Sequence, residues 1–255
     1  MTDAERSVAL KRVEALLERP ATTVDGYLDV LGRDRVPQTT AQRVMGSTLL
    51  PRIYERLWRP VLFFGFTMRN TADEDRRKLE LLEIGPGDHV LDVACGPGNT
   101  TRTLVAEVGA DGLVVGLDSS ATMLAQAVRE TSATHPIGYV RGDAADLPFG
   151  DAAFDAVSCY GALYLMDDPF GALRELIRVL KPGGRIAVLT TCARGPAPAR
   201  QLAAAASRRA PLRLFDVDEI TDVLRAAGLV DVKRHVTAAS QTVSARRAAA
   251  APTTD

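Results

Sequence analysis

Apolar residues recur at two different intervals along this chain, and the change of interval falls near residue 85. Before it, Val8, Leu10, Val13, Leu16 and Leu17 follow a helical spacing among charges over Asp3–Arg19, and Pro20 is the stop. A second short helix is predicted around Val24–Leu31, ahead of Gly32. A longer helical region is predicted over Ala41–Met68, interrupted at Pro51 and Pro60, and a last helix over Asp73–Leu82. Residues 1–83 therefore read as a helical cap or substrate lid. Gly85-Pro86-Gly87-Asp88 is a turn.

After that turn, apolar runs of strand length alternate with helical stretches. The runs are about His89–Ala94, Leu113–Leu117, Ile137–Arg141, Ala156–Tyr160 and Arg185–Thr190. Such alternation predicts right-handed crossovers and a mostly parallel sheet covered by helices on both faces. Val217–Ala227, closed by Gly228, reads as a further helix, with Leu229–Val236 and Gln241–Ala245 as two terminal strands. The Ala-, Arg- and Pro-rich stretch 193–210 is expected to be an exposed helix or lid, and residues 247–255 a disordered tail.

Composition narrows the class. A chain of 255 residues accommodates one α/β domain, expected over 84–246, plus an accessory segment. Net charge −1 provides no basic field, so a nucleic-acid partner is not expected. Cys95, Cys159 and Cys192 have neither metal-ligand spacing nor an even count, which points to no metal and to a reduced, cytoplasmic setting. The first residues lack the basic and apolar regions of a signal peptide, and no run of about 18 uncharged apolar residues occurs.

The chemistry concentrates where one apolar run stops. Val90-Leu91-Asp92-Val93-Ala94-Cys95-Gly96-Pro97-Gly98-Asn99 is a strand ending in a glycine-rich turn, with a helix to follow. Gly96 and Gly98 let backbone approach a ligand without a Cβ in the way, and the next helix opens with unpaired N–H groups. The following strand ends in Asp118, about 20 residues after Gly98, where a carboxylate can accept both hydrogen bonds of a ribose diol. The dinucleotide fingerprint fits poorly, because Thr101 stands where its last glycine belongs and Ala94 at the first alternative.

These residues resemble the class I S-adenosylmethionine-dependent methyltransferases, of the small-molecule, ubiquinone/menaquinone-methyltransferase-like kind. The first strand and turn differ from that pattern only in Ala94 for the first glycine. Tyr139–Phe149 is similar to the family's third strand and acidic loop, Phe154–Tyr160 to its fourth strand, and Arg178–Val188 to the entry into its fifth. The resemblance implies an α/β Rossmann-like fold with a mostly parallel seven-stranded sheet, and S-adenosyl-L-methionine as cofactor. It further implies that Ala94, Cys95 and Gly96 line the methionine half, with Gly98 completing the turn. Asp92 would reach the ammonium, Asp118 the ribose, and Ser119 and Met123 would flank the adenosine. Asp143 and the Ala144 N–H would hold the adenine, and Tyr160 would lie over the sulfonium. Cys95 and Met123 are equally explained as core filler.

The acceptor is less legible. The Asn-Pro-Pro-Tyr type of motif found in base-modifying relatives is replaced by Ser158–Tyr164, and the histidine that many small-molecule relatives carry near Leu163 or Tyr164 is absent. Tyr160 and Tyr164 are the candidates for orienting a phenolic or hydroxyl acceptor, or else they pack. His89, His135 and His235 read as strand-edge histidines without a catalytic part. The aromatic segment Leu49–Phe66 is either core packing, an apolar acceptor pocket or a lipid contact. The expected reaction is methyl transfer to a lipophilic hydroxylated or phenolic small molecule, with oxygen favoured. Carbon methylation of a prenylated quinone ranks second: Arg178–Gly184 matches that subgroup, but Thr190 stands where it carries Glu and its Tyr-Asp-x-Met-Asn signature is missing. A cofactor-binding protein without transfer activity is the third reading, and the sequence leaves the oligomeric state open.

Overall fold

The five apolar runs become five adjacent parallel strands in the computed structural model, which describes residues 3–32, 71–208, 210 and 212–249. They are β3 (His89–Val93), β4 (Leu113–Asp118), β5 (Ile137–Arg141), β6 (Phe154–Tyr160) and β7 (Leu180–Thr191). The strand order β5-β4-β3-β6-β7 places β3 at the centre, so the chain reverses direction of travel across the sheet between β3 and β6. Ligand crevices of open α/β sheets form at such a reversal, beyond the carboxyl ends of the strands. Two antiparallel strands, β8 (Leu229–Thr237) and β9 (Ser240–Arg247), close the β7 edge. Arg247, expected to open a disordered tail, is instead the last residue of β9, and its guanidinium donates to the carbonyls of Ile177, Arg178 and Leu180.

The opposite edge departs from expectation. Val24–Leu31 was expected to be helical; the structure makes a hairpin of β1 (Thr22–Val24) and β2 (Tyr27–Asp29), and β2 continues the sheet in parallel beside β5. Asp25 and Gly26, at φ 46° and 84°, form the two-residue turn that this handedness of strand twist favours. The expected seven strands are therefore nine. The hairpin covers an edge that would otherwise expose unpaired backbone.

Helices cover both faces. On one side α1 (Asp3–Glu14) runs beside β5, with Val13 buried against Gly138, where an added Cβ would lie 2.4 Å from the valine Cγ2. On the other, α2 (Thr71–Leu82) precedes β3 and packs Leu82 against the face that carries Val90, Ala156 and Ala187. The helix after the glycine turn is broken into two short pieces, α3 (Asn99–Thr103) and α4 (Val105–Val108). Then come α5 (Ala121–Glu130), α6 (Pro169–Arg178), α7 (Ala197–Ser207) and α8 (Glu219–Ala226). Ser120 and Asp168 cap α5 and α6 by accepting the N–H groups of Met123 and Gly171. The helices expected over 41–68, with the aromatic segment Leu49–Phe66, lie outside the described residues, as does most of the expected tail. Among the described residues no helix is long and apolar enough to cross a membrane.

Candidate functional site

Asp92, Ser158 and Tyr160 alternate onto the same face of the sheet as Val90 and Ala156, and α2 and α3 cover that face. Asp92 is 2% exposed. Its Oδ2 accepts the hydroxyls of Thr101 at 2.7 Å and Thr100 at 3.3 Å, and its Oδ1 accepts that of Ser158 at 2.7 Å. The fully buried Lys78 of α2 brings its ammonium to 3.8 Å from Oδ1. The same ammonium stands 3.5 Å from the Thr100 carbonyl and 5.4 Å from the centre of the Tyr160 ring. Lys78 was not anticipated, although its position four residues before the buried Leu82 places it on the packed side of α2.

Beyond β3 the turn is built from left-handed residues. Ala94, Gly96 and Gly98 have φ of 57°, 56° and 76°. The two glycines are needed for different reasons. A Cβ on Gly98 would lie 2.4 Å from the Tyr139 hydroxyl and 3.2 Å from Ala127 Cβ, so the helix and β5 close on it. A Cβ on Gly96 would meet nothing within 4 Å, so this residue borders open space. Ala94 carries the cost of a Cβ in a conformation that disfavours one, about 1–2 kcal/mol.

Asp118 ends β4, half-buried, and is fixed by backbone donors. Its Oδ2 accepts the Gly96 N–H at 2.9 Å and its Oδ1 the Ser120 N–H at 2.8 Å. Burial raises its carboxyl above the ordinary value, and those N–H groups partly oppose the rise. Gly116, one pleat earlier, is bare because the Tyr139 ring crosses it: a Cβ there would lie 2.7 Å from the ring. Next to it, burial beside the Asp118 and Asp92 carboxylates pushes the Cys95 thiol well above its usual range. Cys159 is pushed up to about 12 by burial, so neither thiol is an activated nucleophile.

The structure brings Asp92, Ala94, Cys95, Gly96, Gly98 and Asp118 together around one turn. Ser119 follows, its carbonyl accepting from Arg141 Nε at 3.2 Å, while Met123 is buried in α5. Asp143 lies in the loop after β5 and accepts the Ala145 N–H at 3.0 Å, with Ala144 between them half-buried against the core. Tyr160 ends β6. Tyr164 lies apart, in a 3₁₀ turn (Leu163–Leu165) packed on the core, its carbonyl accepting the Arg213 N–H.

Comparison with known proteins bears on this geometry. Residues 91–188 match the family described as "Methyltransferase domain". The chain is 43% identical over 108 residues to a "2-phytyl-1,4-beta-naphthoquinone methyltransferase, chloroplastic" of Arabidopsis thaliana, covering 40% of this chain and 41% of that protein. It is 41% identical over 116 residues to a "Demethylmenaquinone methyltransferase" of Staphylococcus saprophyticus, covering 46% of this chain and 50% of that one. The chain thus spans about half the length of these curated relatives, or less. A solved S-adenosylmethionine-dependent methyltransferase from Aquifex aeolicus superposes with a TM-score of 0.57 at 20% identity, over 78% of this chain and 98% of that one. Residues 91–188 match a methyltransferase domain, and the sheet that contains them has the fold of the class I S-adenosylmethionine-dependent methyltransferases.

Proposed function

We propose that this chain transfers a methyl group from S-adenosylmethionine to an apolar, quinone-type ring in its reduced, hydroxylated form. The single observation that carries the transfer reading is the joining of Gly96, open where a Cβ would stand, to the Asp118 carboxylate within a methyltransferase domain. The donor set fits the cofactor. Each Asp118 oxygen accepts one N–H and keeps a lone pair for a ribose hydroxyl. In this reading Asp143 and the Ala144 N–H hold the adenine, Ser119 and Met123 flank it, and the backbone of Ala94, Cys95 and Gly96 lies along the methionine half. Asp92, presented by three hydroxyl donors, takes the ammonium.

When bound, S-adenosylmethionine supplies a methyl group already activated on a sulfonium. What remains for the chain is to hold the acceptor at attacking distance and to keep water out. Tyr160, at the end of β6, is the described side chain best placed to border the reacting end, and Tyr164 is the second candidate. The names of the relatives turn the acceptor from a general phenol to a naphthoquinone ring and lend no support to the expected preference for oxygen. An electron-rich ring carbon flanked by a hydroxyl is the nucleophile such a reduced ring offers, and its proton leaves to water after transfer.

The test is incubation with methyl-labelled S-adenosylmethionine, a reduced prenylated naphthoquinone lacking the ring methyl, and a panel of simple phenols, with products assigned by NMR. Label at the ring carbon is the expected result. Label on oxygen alone would restore the phenolic reading, and cofactor binding with no transfer to any acceptor would leave a binding protein.

A further inference from the structure

Lys78 has a partner set too thin for a fully buried ammonium. It carries three donors, and removing such a charge from water costs several kcal/mol unless close partners replace the solvent. Its Nζ has one carbonyl at the outer limit of hydrogen-bond distance, 3.5 Å, a carboxylate oxygen at 3.8 Å, beyond it, and the face of the Tyr160 ring at 5.4 Å, which accepts no full hydrogen bond. Asp92 is in the opposite state, with two short hydroxyl bonds and a third at 3.3 Å. The acid is nearly satisfied without the lysine. The lysine is not satisfied by the acid.

The position of this ammonium says which anion suits it. The Thr100 carbonyl belongs to the first turn after Gly98, and Tyr160 ends the neighbouring strand, so Nζ stands behind the glycine turn beside Asp92. An acid and a base held 3.8 Å apart form a dipole of charges complementary to an amino-acid zwitterion, which carries its carboxylate and ammonium on one carbon.

We propose that Lys78 is a cofactor-binding residue: its ammonium holds the carboxylate of the methionine half while Asp92 holds the ammonium. This rests on the methyl-donor reading above and adds to it a group on α2, outside the matched domain. Because α2 delivers the lysine, the helix before β3 is part of the cofactor site as well as packing for the sheet.

Two ligands separate this role from a structural one. S-adenosylhomocysteine carries both charges, and S-adenosyl-3-thiopropylamine keeps the ammonium and lacks the carboxylate. Calorimetric titration of the whole chain should show native protein preferring the first by tenfold or more. Lys78→Met should weaken S-adenosylhomocysteine roughly ten- to a hundredfold, the scale of a lost charge-assisted bond, and leave the amine within about twofold. Lys78→Arg should restore most of the preference. Equal native affinity for the two ligands would overturn the proposal without recourse to any variant. So would a Met variant that binds S-adenosylhomocysteine as well as native or more tightly, since the lysine would then be idle or a competitor for Asp92. Equal loss of both ligands would make it structural. Native protein that binds neither ligand would remove the methyl-donor reading itself, and this proposal with it.

Discussion

Over β3 and β4 the carboxyl end of the sheet is lined by carboxylates that accept N–H and O–H groups, whereas over β6 and β7 it is tied down by arginines. On the first side Asp118 and Asp92 take five such donors, and Asp118 keeps accepting capacity in reserve. On the second side Arg213 lies 4.7 Å from the ring centres of both Phe170 and Phe215 and pairs with Glu219 at 3.2 Å. Arg200 bridges Asp216 and Asp218, and Arg234 closes on Asp218 at 2.7 Å. Those charges pair with one another. In the proposed function the first side binds the methyl donor, while the second fastens the 213–219 loop and the adjoining helices to the sheet.

The largest effect that would break this contrast is expected at Gly98. Alanine there adds the left-handed penalty of about 1–2 kcal/mol to overpacking against Tyr139 and Ala127 of about 1–3 kcal/mol. Gly98→Ala should therefore lower unfolding free energy by about 2–5 kcal/mol in urea titration. Gly96→Ala should lower it by only about 1–2 kcal/mol, since its Cβ meets nothing, while still weakening S-adenosylhomocysteine binding. Equal destabilisation by the two would mean that the open side of Gly96 is not a ligand surface.

Asp118→Ala is next, with an expected loss of about 1–3 kcal/mol in calorimetric affinity for S-adenosylhomocysteine. Its raised carboxyl also sets a pH dependence. Binding uses the ionised form, so affinity should fall as pH drops through a value above the ordinary 3.8. Fold stability moves the other way. The folded state keeps this proton when the unfolded chain has lost it, so Asp118's contribution declines as pH rises through the same window. Asp118→Asn should flatten both slopes, and an affinity that stays constant down to pH 4 would detach this carboxylate from the ligand.

On the arginine side, Arg213→Met should cost about 1–2 kcal/mol of stability through lost cation–π and ion-pair contact, with S-adenosylhomocysteine affinity unchanged. A change in affinity of tenfold would show that the two sides are coupled.

This contrast also explains what could be read from residues alone. The parallel strands are near-continuous apolar runs, and the turn and Asp118 sit at a spacing set by one strand-helix-strand unit, so both were legible. The hairpin was not. Val24, Tyr27, Leu28 and Leu31 fall at helical intervals, and only the Asp25-Gly26 pair between them marks a two-residue hairpin turn. Arg213 between its two phenylalanines, and the hydroxyls of Thr100, Thr101 and Ser158 on Asp92, depend on which strands and loops become neighbours, which no local pattern records. Lys78 was hidden by its type, because a lysine in a charged helix is expected in water, and only its register with Leu82 argues otherwise.

The smallest expected effect isolates the one departure of the turn from the family pattern. Ala94 sits at φ 57°, where an L side chain costs about 1–2 kcal/mol, yet glycine would add unfolded-state entropy of about 0.4–1 kcal/mol. Ala94→Gly should consequently raise unfolding free energy by at most about 1.6 kcal/mol. If the alanine methyl only strains the backbone, S-adenosylhomocysteine affinity should hold or improve, because the ligand approaches this residue through its main chain. Should affinity drop while stability rises, the methyl would be a contact surface for the ligand, and the strain at Ala94 would be maintained for binding.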